Sequence, residues 1–159
     1  MRRLFAAVAL VVLAELGVGQ PDNSEALAIS ALKAINSAEA SYSAMCAQVG
    51  YAVELSDLTK SAFNDYRPFI SSHLDMNGVM LRGTYVVTVE KDAAEGVKNI
   101  GSAEGTCNGS EHQPVSAYYA SATPVMPGHR YFATDTRGTV FVSTHVIPNP
   151  IRNGTPIVP

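Results

Sequence analysis

The chain has 159 residues and a mass of 16.8 kDa, room for one ordinary domain. Hydrophobic residues at 47% and charged residues at 16% exclude a largely disordered chain, and a mean hydropathy of +0.08 excludes a polytopic membrane protein. A net charge of −3 with the four His neutral lacks the basic footprint of a nucleic-acid binder, so no nucleic-acid partner is expected.

The N-terminus reads as an address. Arg2 and Arg3 precede residues 4–14, which carry no polar side chain, and Gly17-Val18-Gly19 follows. A basic, then apolar, then small-residue order is that of a secretory signal peptide, here residues 1–19. Cleavage is open between Gly17-x-Gly19 and Val12-x-Ala14. A strand or buried helix of the mature fold is the alternative. Eleven apolar residues fall short of the ~20 that a spanning helix needs, so no stable membrane span is expected after signal removal. No Cys follows the apolar run, which excludes a lipoprotein signal. Cys46 and Cys107 are the only cysteines. In an oxidising compartment an isolated pair reads as one disulfide, the alternative being two buried free thiols. Neither belongs to a C-x-x-C pair, so redox catalysis and zinc binding have little support.

Residues 20–24 form a polar break in which Asn23 or Ser24 can cap a helix. A long helix is expected from about residue 24 to about residue 48, because Ala is abundant and Pro and Gly are absent. Its apolar stripe is Ile29, Leu32, Ile35, Ala38, Tyr42, Met45 and Val49, and Gly50 is the expected terminator. Within residues 51–80, Ser56-Asp57-Leu58-Thr59 is placed to cap a short helix and Asn77-Gly78 marks a turn. Four strands are expected after that, at residues 84–89, 115–120, 130–134 and 139–143, from their β-branched and aromatic content. Asp135-Thr136-Arg137-Gly138 makes the hairpin between the last two. Residues 91–114 read as a long exposed connection, and the Pro-rich tail 148–159 as extended or mobile. The expected fold class is α+β, a long N-terminal helix packed on an antiparallel sheet of about four strands. The domain division is a 1–19 signal peptide, a 20–147 α+β domain and a 148–159 tail.

The segment order resembles a known family. The run Ala28-Ile29-Ser30-Ala31-Leu32-Lys33-Ala34-Ile35-Asn36-Ser37-Ala38-Glu39, followed by Tyr42 and Gly50-Tyr51, resembles the "A-x-S-x-L-R-x-I-N-x-A" helix of bacterial type IV pilin-like and pseudopilin-like proteins. Residues 83–89, 118–124 and 130–141 are similar to that family's strands and closing hairpin, so the resemblance covers roughly residues 25–145. It implies a pilin-like head domain. It does not extend to filament assembly, because the family's long apolar assembly helix, opened by Phe with Glu at its fifth position, has no counterpart here. A head domain rerouted to general export and a misplaced start remain two explanations.

Residues that carry chemistry are few. No Gly-x-Ser-x-Gly elbow occurs, and residues 101–109 match no phosphate-binding fingerprint. His73 and Asp75 stand two apart, His112, His129 and His145 lie in loops or at strand ends, and each reads more simply as a surface group than as a metal ligand. Lys91, Asp92, Glu95 and Lys98 read as a solvated face. Of Tyr118 and Tyr119 one ring is expected to face away from the core. The sequence therefore predicts no catalytic residues, no metal ligands, no cofactor and no enzyme. It predicts an exported, periplasmic or extracellular pilin-like structural or interaction module. Its expected partners are other pilin-like subunits or a cell-envelope protein, and the mature domain is expected to be monomeric. The alternative is a secreted or periplasmic binding protein or hydrolase that shares only the fold.

Overall fold

A computed structural model of the chain describes residues 23–63, 67–71 and 79–157. The signal-peptide reading, the His73–Asp75 pair and the Asn77-Gly78 turn lie outside the described residues.

Helix α1, Ser24–Met45, has 22 residues. Alanine and unbranched side chains favour it, and Glu25 lies in its first turn, where the helix dipole favours a carboxylate. Asn23 holds the N-cap position but makes no side-chain cap bond. The stripe turned to the core is Ala28, Ala31, Leu32, Ile35, Ala38, Glu39 and Tyr42, the three- and four-residue spacing of one helix face. Met45 and Val49, expected on that stripe, are exposed. The helix stops at Met45, short of residue 48, because Gln48 and Val49 both take left-handed backbone angles, φ 51° and 67°. The chain then reverses at Gly50, where an added Cβ would sit 2.5 Å from the Pro114 side chain. A second helix, α2, covers only Leu55–Thr59.

The strands are β1 (Met80–Arg82), β2 (Tyr85–Lys91), β3 (Tyr118–Pro124), β4 (Tyr131–Asp135), β5 (Phe141–Ser143) and β6 (Thr155–Pro156). They pair in sequence order as one antiparallel sheet. β2 alternates buried and half-buried residues from Tyr85 to Val89, the period-2 pattern of a strand with one covered face. Val87 pairs with Ala122 and Val89 with Ala120, and the two alanines leave room for α1 to lie close. Leu32, Ile35, Tyr42, Met80, Tyr85, Val87 and Phe132 are sealed in the resulting core.

These observations correct the expected fold class. The described sheet has six strands, not about four, beside one 22-residue helix and one of five. The α+β arrangement of a long helix on a four-stranded sheet is overturned, and with it the pilin-like head architecture that the resemblance implied. β1 escaped notice because it is three residues long. β6 escaped because it contains Pro156; it lies at the sheet edge, where a missing N–H is tolerated. The strand expected at 115–120 begins at Tyr118 instead, since Val115 is bridged to Tyr51 and Asn99.

The tail is tied down. The Tyr119 hydroxyl donates to the Ile147 carbonyl at 2.7 Å. Asn149 accepts from the Ala93 N–H and donates to Glu90 and to the Lys91 carbonyl. The Ile157 N–H donates to Val140. Ile147 and partly buried Ile151 cover Tyr119 and Ala133 on the sheet face opposite the helix core. Both faces of β3 are therefore covered, and Tyr118 and Tyr119 are both buried, against the expectation of one outward ring.

Candidate functional site

The expected disulfide is formed. Cys46, which caps the C-terminal end of α1, is bonded to Cys107, with the two Cα atoms 4.6 Å apart. It anchors the 92–117 connection at the helix end, and the Cys107 N–H donates to the Cys46 carbonyl at 3.2 Å.

Beside this bond the chain gathers a cluster of polar groups, most of them buried. α1 supplies Glu39 and Tyr42, α2 supplies Asp57, and the connection supplies Thr106, Asn108, Ser110 and His112. The Tyr42 hydroxyl and Ser110 Oγ are 2.7 Å apart. Ser110 Oγ also donates to Asn108 Oδ1, and Asn108 Nδ2 donates to the Asp57 carbonyl at 2.7 Å. Asp57 Oδ1 accepts from the Glu111 N–H at 3.3 Å, and His112 Nδ1 lies 3.1 Å from Asp57 Oδ2. On the other side of the ring, His112 Nε2 is 3.4 Å from Glu54 Oε1. Glu39 is 0% exposed; its Oε2 accepts from the Ala52 N–H at 2.9 Å, while its Oε1 has no partner among the described residues.

Burial sets the electrostatics. It pushes the Glu39 carboxyl well above the usual range; the Ala52 hydrogen bond opposes this and the Asp57 charge adds to it. Burial also raises Asp57, with the His112 ring pulling the other way. The Tyr42 phenol is raised by burial, against its bond to Ser110. Burial thus works against the charged form of both carboxyls, and at Asp57 the His112 ring and the Glu111 N–H oppose it.

A carboxylate–imidazole pair beside a serine has the residue types of a nucleophilic triad, but the geometry does not make one. Both nitrogens of His112 face carboxylates, so neither is placed to take the Ser110 proton. Ser110 is itself committed to Tyr42 and Asn108. The cluster's hydrogen bonds join α1, α2 and the connection rather than converge on an open space.

The other residues considered from sequence do not come together. His129 stacks edge-on to Tyr85, with ring centroids 6.3 Å apart. His145 Nδ1 lies 3.0 Å from the Thr144 hydroxyl. Among the described residues no group of three His, Cys, Asp or Glu is placed to hold a metal ion. Asp92, expected on a solvated face, is buried and accepts from the Ala94 N–H. Burial pushes the Tyr119 phenol up to about 12, and its neighbour Tyr118, raised by burial as well, donates to Asn36 Oδ1. Sequence reading gives Tyr42 to the apolar stripe, where it is buried, and connects neither it nor Glu39 with the serines. The one available signal was a Glu three residues before Tyr42 on the stripe side of an otherwise apolar helix.

A groove of about 420 Å³ runs beside α1, lined by Leu27, Ala31, Ala34, Ala38, Phe69 and Met80 among others. A recess of about 260 Å³ lies between the outer face of the sheet and residues 146–149. No described helix is long and apolar enough to cross a membrane. No protein-family model, no curated protein and no solved structure matches the chain.

Proposed function

We propose that the chain is an exported, non-catalytic structural or interaction module, braced by its disulfide and presenting the 92–117 connection to a partner in the cell envelope. The observation that carries this reading is the commitment of Asp57, His112, Ser110 and Tyr42 to bonds that fasten the connection onto α1 and α2. A hydrolase built from the same residues would hold Ser110 against a free nitrogen of His112. The disulfide fits an oxidising compartment, and the Arg2-Arg3 start with its apolar run supplies a route there. Size-exclusion light scattering of the mature domain at micromolar concentration should give a monomer. N-terminal sequencing of the secreted protein tests the whole reading: a mature start after Ala14 or Gly19 supports it. A protein retained in the cytoplasm with two titratable thiols overturns export. Labelling of Ser110 by a serine-hydrolase probe overturns the non-catalytic assignment.

A further inference from the structure

The sequence repeats one chemically labile step, Asn followed by Gly, at 77–78, 108–109 and 153–154. The first lies outside the described residues; the other two sit in opposite environments. We propose that the Asn153–Gly154 step is a site of spontaneous covalent modification, closing to a succinimide and opening to aspartate or isoaspartate, while the fold protects the identical Asn108–Gly109 step.

The reaction needs the Gly peptide nitrogen to reach the Asn side-chain carbonyl carbon. That N–C bond forms, the bond from Cγ to the side-chain nitrogen breaks, and ammonia leaves. Water then adds at either carbonyl of the five-membered imide. Opening on one side gives aspartate. Opening on the other gives isoaspartate, with one extra methylene in the main chain. No oxidant or cofactor takes part, and the co-reactant is water.

Asn108 is prevented from making this approach. It is 6% exposed. Its Nδ2 donates to the Asp57 carbonyl at 2.7 Å and to the Lys60 carbonyl at 3.4 Å, and its Oδ1 accepts from Ser110 Oγ at 2.9 Å. The amide plane is held from both ends. The preceding residue, Cys107, is fixed by the disulfide. For Asn108 to cyclise, this part of the connection must first open.

Asn153 is exposed on a bend between Ile151 and β6, and none of its side-chain atoms is hydrogen-bonded among the described residues. Gly154 has φ +112° and lies against the Phe141 Cβ, which an added Cβ would meet at 3.2 Å. Gly154 carries no side chain to screen its peptide nitrogen, the atom that the cyclisation uses. The product adds a carboxylate next to Arg152, directly before the Thr155–Pro156 strand.

The test is peptide mapping of the folded, oxidised full-length protein after incubation at mildly alkaline pH. It reads, at each Asn-Gly step, the mass change of an amide-to-acid conversion and the retention split between aspartate and isoaspartate. The folded protein should convert Asn153 at least about tenfold faster than Asn108, because the buried step reacts only from a locally opened state. In urea with the disulfide reduced, the two steps should converge. Asn153→Gln should abolish conversion at that peptide and leave the slow conversion at Asn108 unchanged. Equal rates at the two steps in the folded protein, or faster conversion at Asn108, would overturn the proposal, as would an Asn153 peptide that stays unconverted while unfolded protein reacts.

Discussion

Removing the covalent link between Cys46 and Cys107 should lower stability by an amount set by their sequence separation of 61. In the chain-entropy model, closing a loop of that length restricts the unfolded chain by about 4 kcal/mol. The native state should survive the double substitution Cys46→Ala/Cys107→Ala, because other bonds hold the same junction. The Phe63 N–H still donates to the residue 107 carbonyl at 2.9 Å, and Asn108 and Ser110 keep their bonds to Asp57 and Tyr42. Urea unfolding without reductant should therefore show a folded variant less stable than the oxidised protein by about 4 kcal/mol, and a thermal midpoint lower by roughly 10 °C. Wild-type protein in excess dithiothreitol should fall to the same curve. A difference below about 1 kcal/mol would refute the reasoning, since the connection would then be restrained in the unfolded chain by something other than the disulfide.

Leu32→Asp should prevent folding, read as loss of the near-ultraviolet circular dichroism signal, because Leu32 is 0% exposed and an unpaired buried charge costs several kcal/mol. Glu39→Gln should gain stability over wild type as pH rises. The folded-state pKa of Glu39 is raised above its ordinary 4.5, so its contribution is fully present below pH 4.5 and is lost as pH climbs through the raised value. The cost of burying the glutamine NH₂ is the same at every pH, so the slope of the difference in urea midpoints is the readout, and a flat difference refutes the assignment. Tyr42→Phe should cost about 1–2 kcal/mol in urea unfolding, since it removes one of the two partners of a buried hydroxyl. Gly138→Ala should cost about 1–2 kcal/mol of backbone strain. Its φ is +72° and nothing lies within 4 Å of an added Cβ, so a larger loss would point to a steric clash that the structure does not contain.

The parts of the fold legible in the sequence are those whose pattern is local. The alanine-rich helix, the β-branched run Tyr85-Val86-Val87-Thr88-Val89 and the Asp135–Gly138 turn each carry their signal within a few residues. The turn is made as expected, with Gly138 at positive φ and its N–H donating to the Asp135 carbonyl at 2.8 Å. What failed depended on distant partners. Gln48 and Val49 end the helix in left-handed angles that neither residue type favours. They fall between the disulfide at Cys46 and Gly50, where an added Cβ would sit 2.5 Å from the Pro114 side chain. One of Tyr118 and Tyr119 was expected to face outward because nothing near them in sequence covers a second ring; the cover for Tyr119 comes from Ile147, whose carbonyl accepts its hydroxyl. Thr155 and Pro156 form a strand only because Val142 and Phe141 lie opposite them.

The polar cluster was illegible for the same reason, and its geometry bears on what the molecule is for. Glu39, Asp57 and His112 come from three segments, and each alone reads as a surface group on a helix or a loop. Brought together they are largely removed from water, an arrangement that is costly unless the groups are paired. Asp57 is paired with His112 and the Glu111 N–H, and Glu39 keeps one carboxyl oxygen without a partner among the described residues. A hydrophobic junction of the same shape would be at least as stable. The directional bonds of the cluster do something that apolar contact does not: they fix the register of a Gly- and Ser-rich connection that has little hydrophobic anchorage of its own. Thr106, Asn108 and Ser110 bond in chain order, Ser110 N–H to Thr106 Oγ1 and Ser110 Oγ to Asn108. The 106–112 segment is thereby shaped from within as well as held from outside. Thr106, Asn108 and Ser110 are all buried and hydrogen-bonded, and the proposed interaction role draws on that fixed shape.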